Sequence, residues 1–395
     1  MTNFGPSLRL IGAKALREGR LENGPLSVVE GILCDDTGRV PDLDLSGYWV
    51  LPGIIDLHGD AFERHMTPRP TAPFAMNIGL RGTDRDAAVN GITTAYLAQS
   101  WSWEGGPRGP EYTEDLLEAH KDYRPFMGTD LRIQIRAETH TMDTEARLLR
   151  AIQSYGVDYV IFNNHLDEAI EMAEHRPDMI VSWASKAGRT AEEHMSLVLG
   201  CKARDAEVPR YLCNLANAFD RLNVRYGSHD DPDGATRERY SMIGAKVCEF
   251  PTAMGAALVA KTWQDPVLMG APNVVRGGSQ SGNIAASEMI AEGACDALVS
   301  DYYYPALAQA VFRLVDEGML SFGEAWHMIS TNPAQILGLN DRGALESGKR
   351  ADLTIIDPET RTIEATMVAG RWTYVTGEIA NRLATVQGAI QVAAE

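Results

Sequence analysis

Short apolar runs alternate with longer amphipathic stretches through most of this chain. Between Leu51 and Asn340 the apolar runs are Gly53 to Leu57, Ile92 to Leu97, Leu131 to Arg136, Tyr159 to Phe162, Asn223 to Tyr226, Lys246 to Phe250 and Asp296 to Ser300. Each is short and β-rich, so each predicts a strand. The stretches between them, such as Glu114 to Tyr123 and Thr190 to Arg204, carry helical spacing. Strand alternating with helix predicts a parallel sheet. Seven or eight such units over about 290 residues fit a closed (β/α)8 TIM-like barrel better than an open sheet. The pattern places the strand of the seventh unit only loosely.

The two ends read differently. Val28 to Leu33 and Gly47 to Val50 near the start, and Asp352 to Asp357 and Thr366 to Val375 near the end, predict short strands and turns. Two β-rich ends around a different middle predict one small β-sandwich built from residues 1–51 and 341–395, with a hydrolase barrel over 52–340.

Composition narrows the classes. The chain has 395 residues, 45% hydrophobic and 23% charged, which excludes a disordered, collagen-like or coiled-coil protein. With 36 Lys+Arg against 54 Asp+Glu, its formal charge is -18. A surface this acidic repels nucleic acid and anionic membrane. It leaves room for a small basic pocket that takes an anionic molecule. Five cysteines (Cys34, Cys201, Cys213, Cys248, Cys295) lie far apart, which predicts reduced, buried thiols and a cytoplasmic setting. No signal-like apolar core runs from Met1 to Arg20, and no apolar run is long enough to span a bilayer.

In a barrel of this kind, chemistry gathers at the C-terminal ends of the strands, because the loops there face one cavity. Five of the predicted strands end in side chains that bind metals. The first ends in His58-Gly59-Asp60, and residues two apart on an extended chain point the same way, so His58 and Asp60 could grip one ion. The third puts Arg132, Gln134, Arg136, Glu138 and His140 on one face; such a polar face is costly inside a barrel unless its groups coordinate or pair. Glu138 is the candidate bridging carboxylate, and His140 is either a ligand, a support behind the ligands or a substrate contact. His165, His229 and Asp301 follow three further runs. Imidazole and carboxylate donors suit zinc, manganese and related divalent ions, and a bridging carboxylate suits two of them. The other histidines, His120, His175, His194 and His327, read as solvated or capping residues. His65 differs, since Glu63 to Pro70 directly follows the first ligand pair and reads as a substrate loop.

A second stretch, Asn273 to Asn283, is glycine-rich, carries Arg276 and leads into a helix expected to start near Asn283. Backbone amides in such a loop, with a helix N-terminus behind them, make an anion cradle. Arg64, Arg69, Arg81, Arg85, Lys186, Arg189 and Lys246 could add charge to the same cavity, and Lys186 to Thr190 reads as a mobile loop.

These segments resemble a known group of enzymes. Leu51-Pro52-Gly53-Ile54-Ile55-Asp56-Leu57-His58 resembles the opening of the amidohydrolase superfamily, and Gly348-Lys349-Arg350-Ala351-Asp352-Leu353 with Asp357 resembles its closing strand, preceded by Asn332-Pro333-Ala334. Within the superfamily the chain resembles the PhnM family on Asp56 to Asp60, Glu63 to Pro70, Ser228 to Asp231, Arg276 to Asn283 and Ser300 to Tyr303. That resemblance implies metal-dependent hydrolysis of α-D-ribose 1-methylphosphonate 5-triphosphate to the 5-phosphate and pyrophosphate, in the carbon–phosphorus lyase pathway. It implies one or two divalent ions, zinc first and manganese, nickel or iron as alternatives, among His58, Asp60, Glu138, His165, His229 and Asp301. Asp301 and His229 are the catalytic candidates. Arg276, Gly277, Gly278, Ser279, His65, Arg69, His140 and Lys186 are the substrate candidates. The superfamily has His-x-His on its first strand and often a carboxylated lysine later; here Asp60 and Glu138 stand at those places and add negative charge. The expected partner is a small phosphorylated sugar, with no nucleic acid or membrane, and a homodimer is compatible with the barrel. Two rival readings are an amidohydrolase acting on a cyclic amide, an N-acyl compound or a nucleobase, and a metal-free scaffold. The scaffold predicts broken ligand positions, and none is clearly broken.

Overall fold

The computed structural model describes residues 5, 7–35, 40–69, 72–279 and 282–394. Pro70 of the expected substrate loop and Gln280-Ser281 of the glycine-rich stretch lie outside them. Eight parallel strands pair in chain order: Ile54–Gly59, Ile92–Trp101, Asp130–Glu138, Tyr159–Asn163, Arg225–His229, Val247–Glu249, Val267–Gly270 and Ala297–Val299. A parallel bridge between Gly59 and Asp301 brings the eighth back to the first. The middle of the chain is therefore the barrel that its alternating pattern predicts.

Helices cover the outside, so the strands are buried on both faces; all ten residues of Ile92–Trp101 are buried. The helix Val208–Leu222 shows how the cover forms. Tyr211, Leu215, Ala216, Ala218 and Phe219 make one apolar stripe against the barrel. Asn223 ends that helix with a left-handed backbone (φ 54°), so the fifth strand starts at Arg225 and not at Asn223. The seventh strand, Val267–Gly270, has four residues and runs straight into Ala271-Pro272 at the start of a helix. A run that short carries little periodic signal.

The first and eighth strands are joined by a buried carboxylate. Asp56 is fully buried and accepts from Ser300 N (2.9 Å) and Ser300 Oγ (2.6 Å). Backbone bonds continue the seam, from Asp301 N to His58 O (3.0 Å) and from Asp60 N to Asp301 O (2.8 Å). A Cβ on Gly59 would come within 2.7 Å of both Asp56 Oδ2 and Ser300 Oγ, so the residue between His58 and Asp60 has no room for a side chain.

The chain ends build two further sheets. One holds Leu8–Ile11, Leu26–Val29, Ile32–Cys34 and Asp42–Asp44. The other joins Lys14–Arg17, Arg20–Asn23 and Trp49–Pro52 to Leu353–Asp357, Thr362–Val368 and Arg371–Val375. Residues of both sheets share one apolar core, among them Leu10, Val28, Val50, Leu353 and Met367. Val28 to Leu33 is not one strand: Glu30 (φ 51°) and Gly31 (φ 80°) turn it into a hairpin. The last residues differ from the strands and turns expected of them. Gly377–Ala394 is a helix whose Ile379 and Leu383, one turn apart, enter the same core. All five cysteines are free, and Cys213 is exposed rather than buried. Among the described residues no helix is long and apolar enough to cross a membrane.

Replacing Asp56 with Ala strands the buried Ser300 donors, and is expected to cost about 2–4 kcal/mol of stability. Urea unfolding of the two proteins measures the difference; an unchanged midpoint would show that the seam does not hold the barrel.

Candidate active site

A cavity of about 290 Å³ opens at the C-terminal ends of the strands. His58, Asp60, His229 and Asp301 all line it, together with Arg276, Gly278 and Ser279. Four of the six expected ligands thus meet in one place, brought there by the first, fifth and eighth strands. Arg108, Arg136 and Asp230 share the wall.

The donor atoms form two compact groups. His58, His229 and Glu249 make one, and Glu104, Glu138 and His165 the other; within each, the ligand atoms lie within 4.8 Å of one another. In the first, Glu249 is fully buried and accepts from His58 Nδ1 (2.8 Å), Gln134 Nε2 (2.7 Å) and Tyr159 Oη (2.6 Å). Burial presses the Glu249 carboxyl upward, yet the His58 ring opposite outweighs this and holds it below the usual carboxylate range. The converse holds at His58: burial disfavours its proton, Glu249 favours it, and the net shift is upward. Burial leaves His229 lowered.

In the second group, His165 Nδ1 stands 2.6 Å from Glu138 Oε1 and 3.2 Å from Glu104 Oε1. Asn163 Nδ2 donates to Glu138 Oε1 (2.7 Å), and His165 N to Glu138 Oε2 (3.2 Å). Arg108 Nη1 donates to both Glu104 oxygens (3.1 and 3.0 Å), and the Trp183 indole donates to Glu104 as well. Burial opposes charge on Glu104, but His165, Arg108 and Trp183 bring its carboxyl down to about 2. Burial likewise opposes charge on His165, and Glu138 and Glu104 raise it to about 9.

Asp301 sits at the seam in a left-handed conformation (φ 56°). Burial and the nearby Asp60 push its carboxyl up to about 7.

The remaining expected residues are spread wider. His140 Nε2 bonds Asp205 Oδ1 (2.8 Å) and lines a neighbouring cavity, in neither donor group. His65 pairs with Asp86 (3.0 Å) beside the helix that follows the loop, Met76–Val89, and does not line the main cavity. Arg69 is exposed. Lys186 lines a side cavity of about 310 Å³ that shares Arg108 with the main one. The glycine-rich stretch is built differently from the expected cradle. Arg276 is the last residue of a helix, Ala271–Arg276; Gly277 N caps it by donating to Asn273 O and Val274 O (both 3.1 Å), and Gly278 N donates to Asn273 O (2.9 Å). Those two amides are spent on the helix end. The next helix starts at Ala286, not near Asn283, where Asn273 Oδ1 accepts from Ala286 N (3.0 Å).

Arg64, Arg69, Arg81, Arg85, Lys186, Arg189 and Lys246 do not line the main cavity. Lys246 faces Asp265 (3.5 Å), and Arg81 and Arg85 line a separate cavity against Arg371. His120 and His194 are buried, not solvated: His120 Nε2 bonds Leu131 O (2.8 Å), and His194 is enclosed by Trp103 and Trp183. The groups sequence reasoning missed are Glu249, Glu104, Arg108 and Arg136. Glu249 is the last residue of the sixth strand, Val247–Glu249, inside the apolar run Lys246 to Phe250, and Arg136 lies on the polar face of the third strand. Glu104 and Arg108 sit in the loop after the second strand, where no periodicity marks them.

Residues 197–380 match the model of the amidohydrolase family. The α-D-ribose 1-methylphosphonate 5-triphosphate diphosphatase of Escherichia coli K12 is 31% identical over 358 residues, covering 87% of this chain and 93% of that protein. The chain belongs to the PhnM family of the amidohydrolase superfamily. It is a hydrolase of the diphosphatase type. A dihydroorotase of Geobacter metallireducens is 45% identical over only 60 residues, 15% of this chain and 14% of that protein. The crystal structure of N-acyl-D-glutamate deacylase from Bordetella bronchiseptica, complexed with zinc and a phosphonate inhibitor, aligns over 94% of this chain and 97% of its own, with a TM-score of 0.61 at 13% identity, a likeness of fold. Members of this family depend on metal, and the two groups of imidazole and carboxylate donors suit a hard or borderline divalent ion.

The His165 shift has a pH consequence. Its pKa is raised from 6.5 to about 9, so the stability it contributes is fully present below pH 6.5 and is lost as pH rises through about 9. In metal-free protein the unfolding midpoint should fall between those values, and His165→Gln should flatten that part of the profile. A slope unchanged by the substitution would assign the effect elsewhere.

Proposed function

We propose that this protein hydrolyses α-D-ribose 1-methylphosphonate 5-triphosphate to the 5-phosphate and pyrophosphate, with one or two divalent ions, zinc first, as cofactor. One observation carries the reading. In a chain of net charge -18, the cavity gathers imidazoles and carboxylates that suit cations beside the guanidinium groups of Arg108, Arg136 and Arg276, which suit an anion. The whole-length likeness to the Escherichia coli diphosphatase supports it. The proposal places the enzyme in the carbon–phosphorus lyase pathway of the cytoplasm.

His58, Asp60, His229 and Glu249 on one side, and Glu104, Glu138 and His165 on the other, would hold the metal. When bound, a divalent ion lowers the pKa of a water toward neutrality and so supplies the nucleophile. Asp301, which lines the same cavity beyond the end of the eighth strand, is the carboxylate placed to take the proton of the attacking water. The water oxygen bonds to the α-phosphorus as the bridging oxygen to the β-phosphorus departs with pyrophosphate. Arg276, from the rim, meets the charge on the departing phosphates.

Asp301→Asn should lower turnover by about 10²–10⁴-fold while the metal content per chain stays the same. Pyrophosphate release against metal analysis checks both; near-normal rates would remove Asp301 from this role. The short dihydroorotase-like stretch favours cyclic amides as a second reading. Incubation with a ribose 5-triphosphate and with a hydantoin separates the two by product, pyrophosphate or ring-opened acid.

A further inference from the structure

The third barrel strand presents Gln134, Arg136 and Glu138 inward, two residues apart. Gln134 is bonded to Glu249 of the first donor group, and Glu138 to His165 of the second. Arg136 lies between them, and its charge acts on His58, His229 and Asp301 alike. It is only 7% exposed, lines the main cavity, and its Nε has no hydrogen-bond partner. Among the described residues no carboxylate or carbonyl engages its guanidinium.

Other buried arginines of this protein are treated differently. Arg237, fully buried, donates to Ser228, Ser241, Val247 O and Asp231. Arg342 reaches Thr94, Asp130 and Asp341. The other cations of the main cavity are also engaged: Arg108 by Glu104, and Arg276 by Tyr302 Oη (3.3 Å). An unpaired guanidinium in a buried wall is expensive, and a fold that satisfies Arg237 so fully leaves Arg136 open to the cavity. An oxyanion entering from that cavity would meet the planar fork of donors with two oxygens.

We propose that Arg136 binds the non-bridging oxygens of the phosphoryl group under attack, and thereby selects phosphoric anhydrides over neutral amides at this site. The inference rests on the hydrolase reading above and names the residue that recognises its substrate class. A neutral amide carbonyl offers no charge to balance the guanidinium.

The test is titration calorimetry of metal-loaded protein with methylenediphosphonate, whose two phosphorus groups span the cleaved position and resist hydrolysis, and with hydantoin as the neutral probe. Arg136→Met should bind methylenediphosphonate at least ten-fold more weakly than wild type, and Arg136→Lys at least three-fold, with metal content unchanged. A purely structural role would lower the unfolding midpoint but leave the affinity of the folded protein alone. If Arg136→Met binds as tightly as wild type, the proposal falls and the phosphate reading stands. If wild type binds hydantoin and not methylenediphosphonate, both fall. Should Arg136→Met not fold, Arg136→Lys decides, and unchanged affinity overturns the proposal.

Discussion

The seam between the first and eighth strands is the constraint on which the site rests. Asp56 and Ser300 are 244 residues apart, and their contact is made by a fully buried carboxyl group. A buried acceptor of that kind tolerates little displacement, because losing either Ser300 donor leaves a buried oxygen without its partner. The residues that follow it on each side are His58, Asp60 and Asp301. Their mutual placement is therefore inherited from the barrel's closure, and the left-handed backbone at Asp301 is held by bonds to His58 and Asp60 on the facing strand.

Charge within the barrel mouth follows a second rule: the buried glutamates of the two donor groups are each answered by several donors. Glu249 collects three donors, Glu104 collects His165, Arg108 and Trp183, and Glu138 collects Asn163 and His165. These pairings hold the rings and carboxylates in fixed orientations, as the supports behind metal ligands do. They also explain why proton affinities diverge so far in a small volume, with Glu104 at about 2, Asp301 at about 7 and His165 at about 9. Arg136 differs from these glutamates: among the described residues no carboxylate or carbonyl is bonded to its guanidinium, and its Nε has no hydrogen-bond partner.

Several features were legible in the sequence for direct physical reasons. The barrel was readable because buried parallel strands are continuous apolar runs, and a polar side chain at the end of such a run has few places to go but the cavity. That logic found His58, Asp60, His229 and Asp301, and it would have found Glu249 had the Lys246 to Phe250 run been read to its end. It failed at Glu104 and Arg108, whose loop follows no period. It also failed at the glycine-rich stretch, where Gly277 and Gly278 suggested free amides but their donors cap a helix that the sequence pattern did not disclose.

The linear order of residues by itself determined the alternation of strand and helix, the pairing of two β-rich ends and the identity of most donor side chains, since these follow from local periodicity and from what each side chain can bind. Only the tertiary structure decided which donors share a group. Distances of a few ångströms between residues far apart in the chain depend on strand register and barrel closure, which no local pattern encodes. The same holds for Arg136: its place on a polar strand face was visible, but its lack of a partner is a property of everything folded around it.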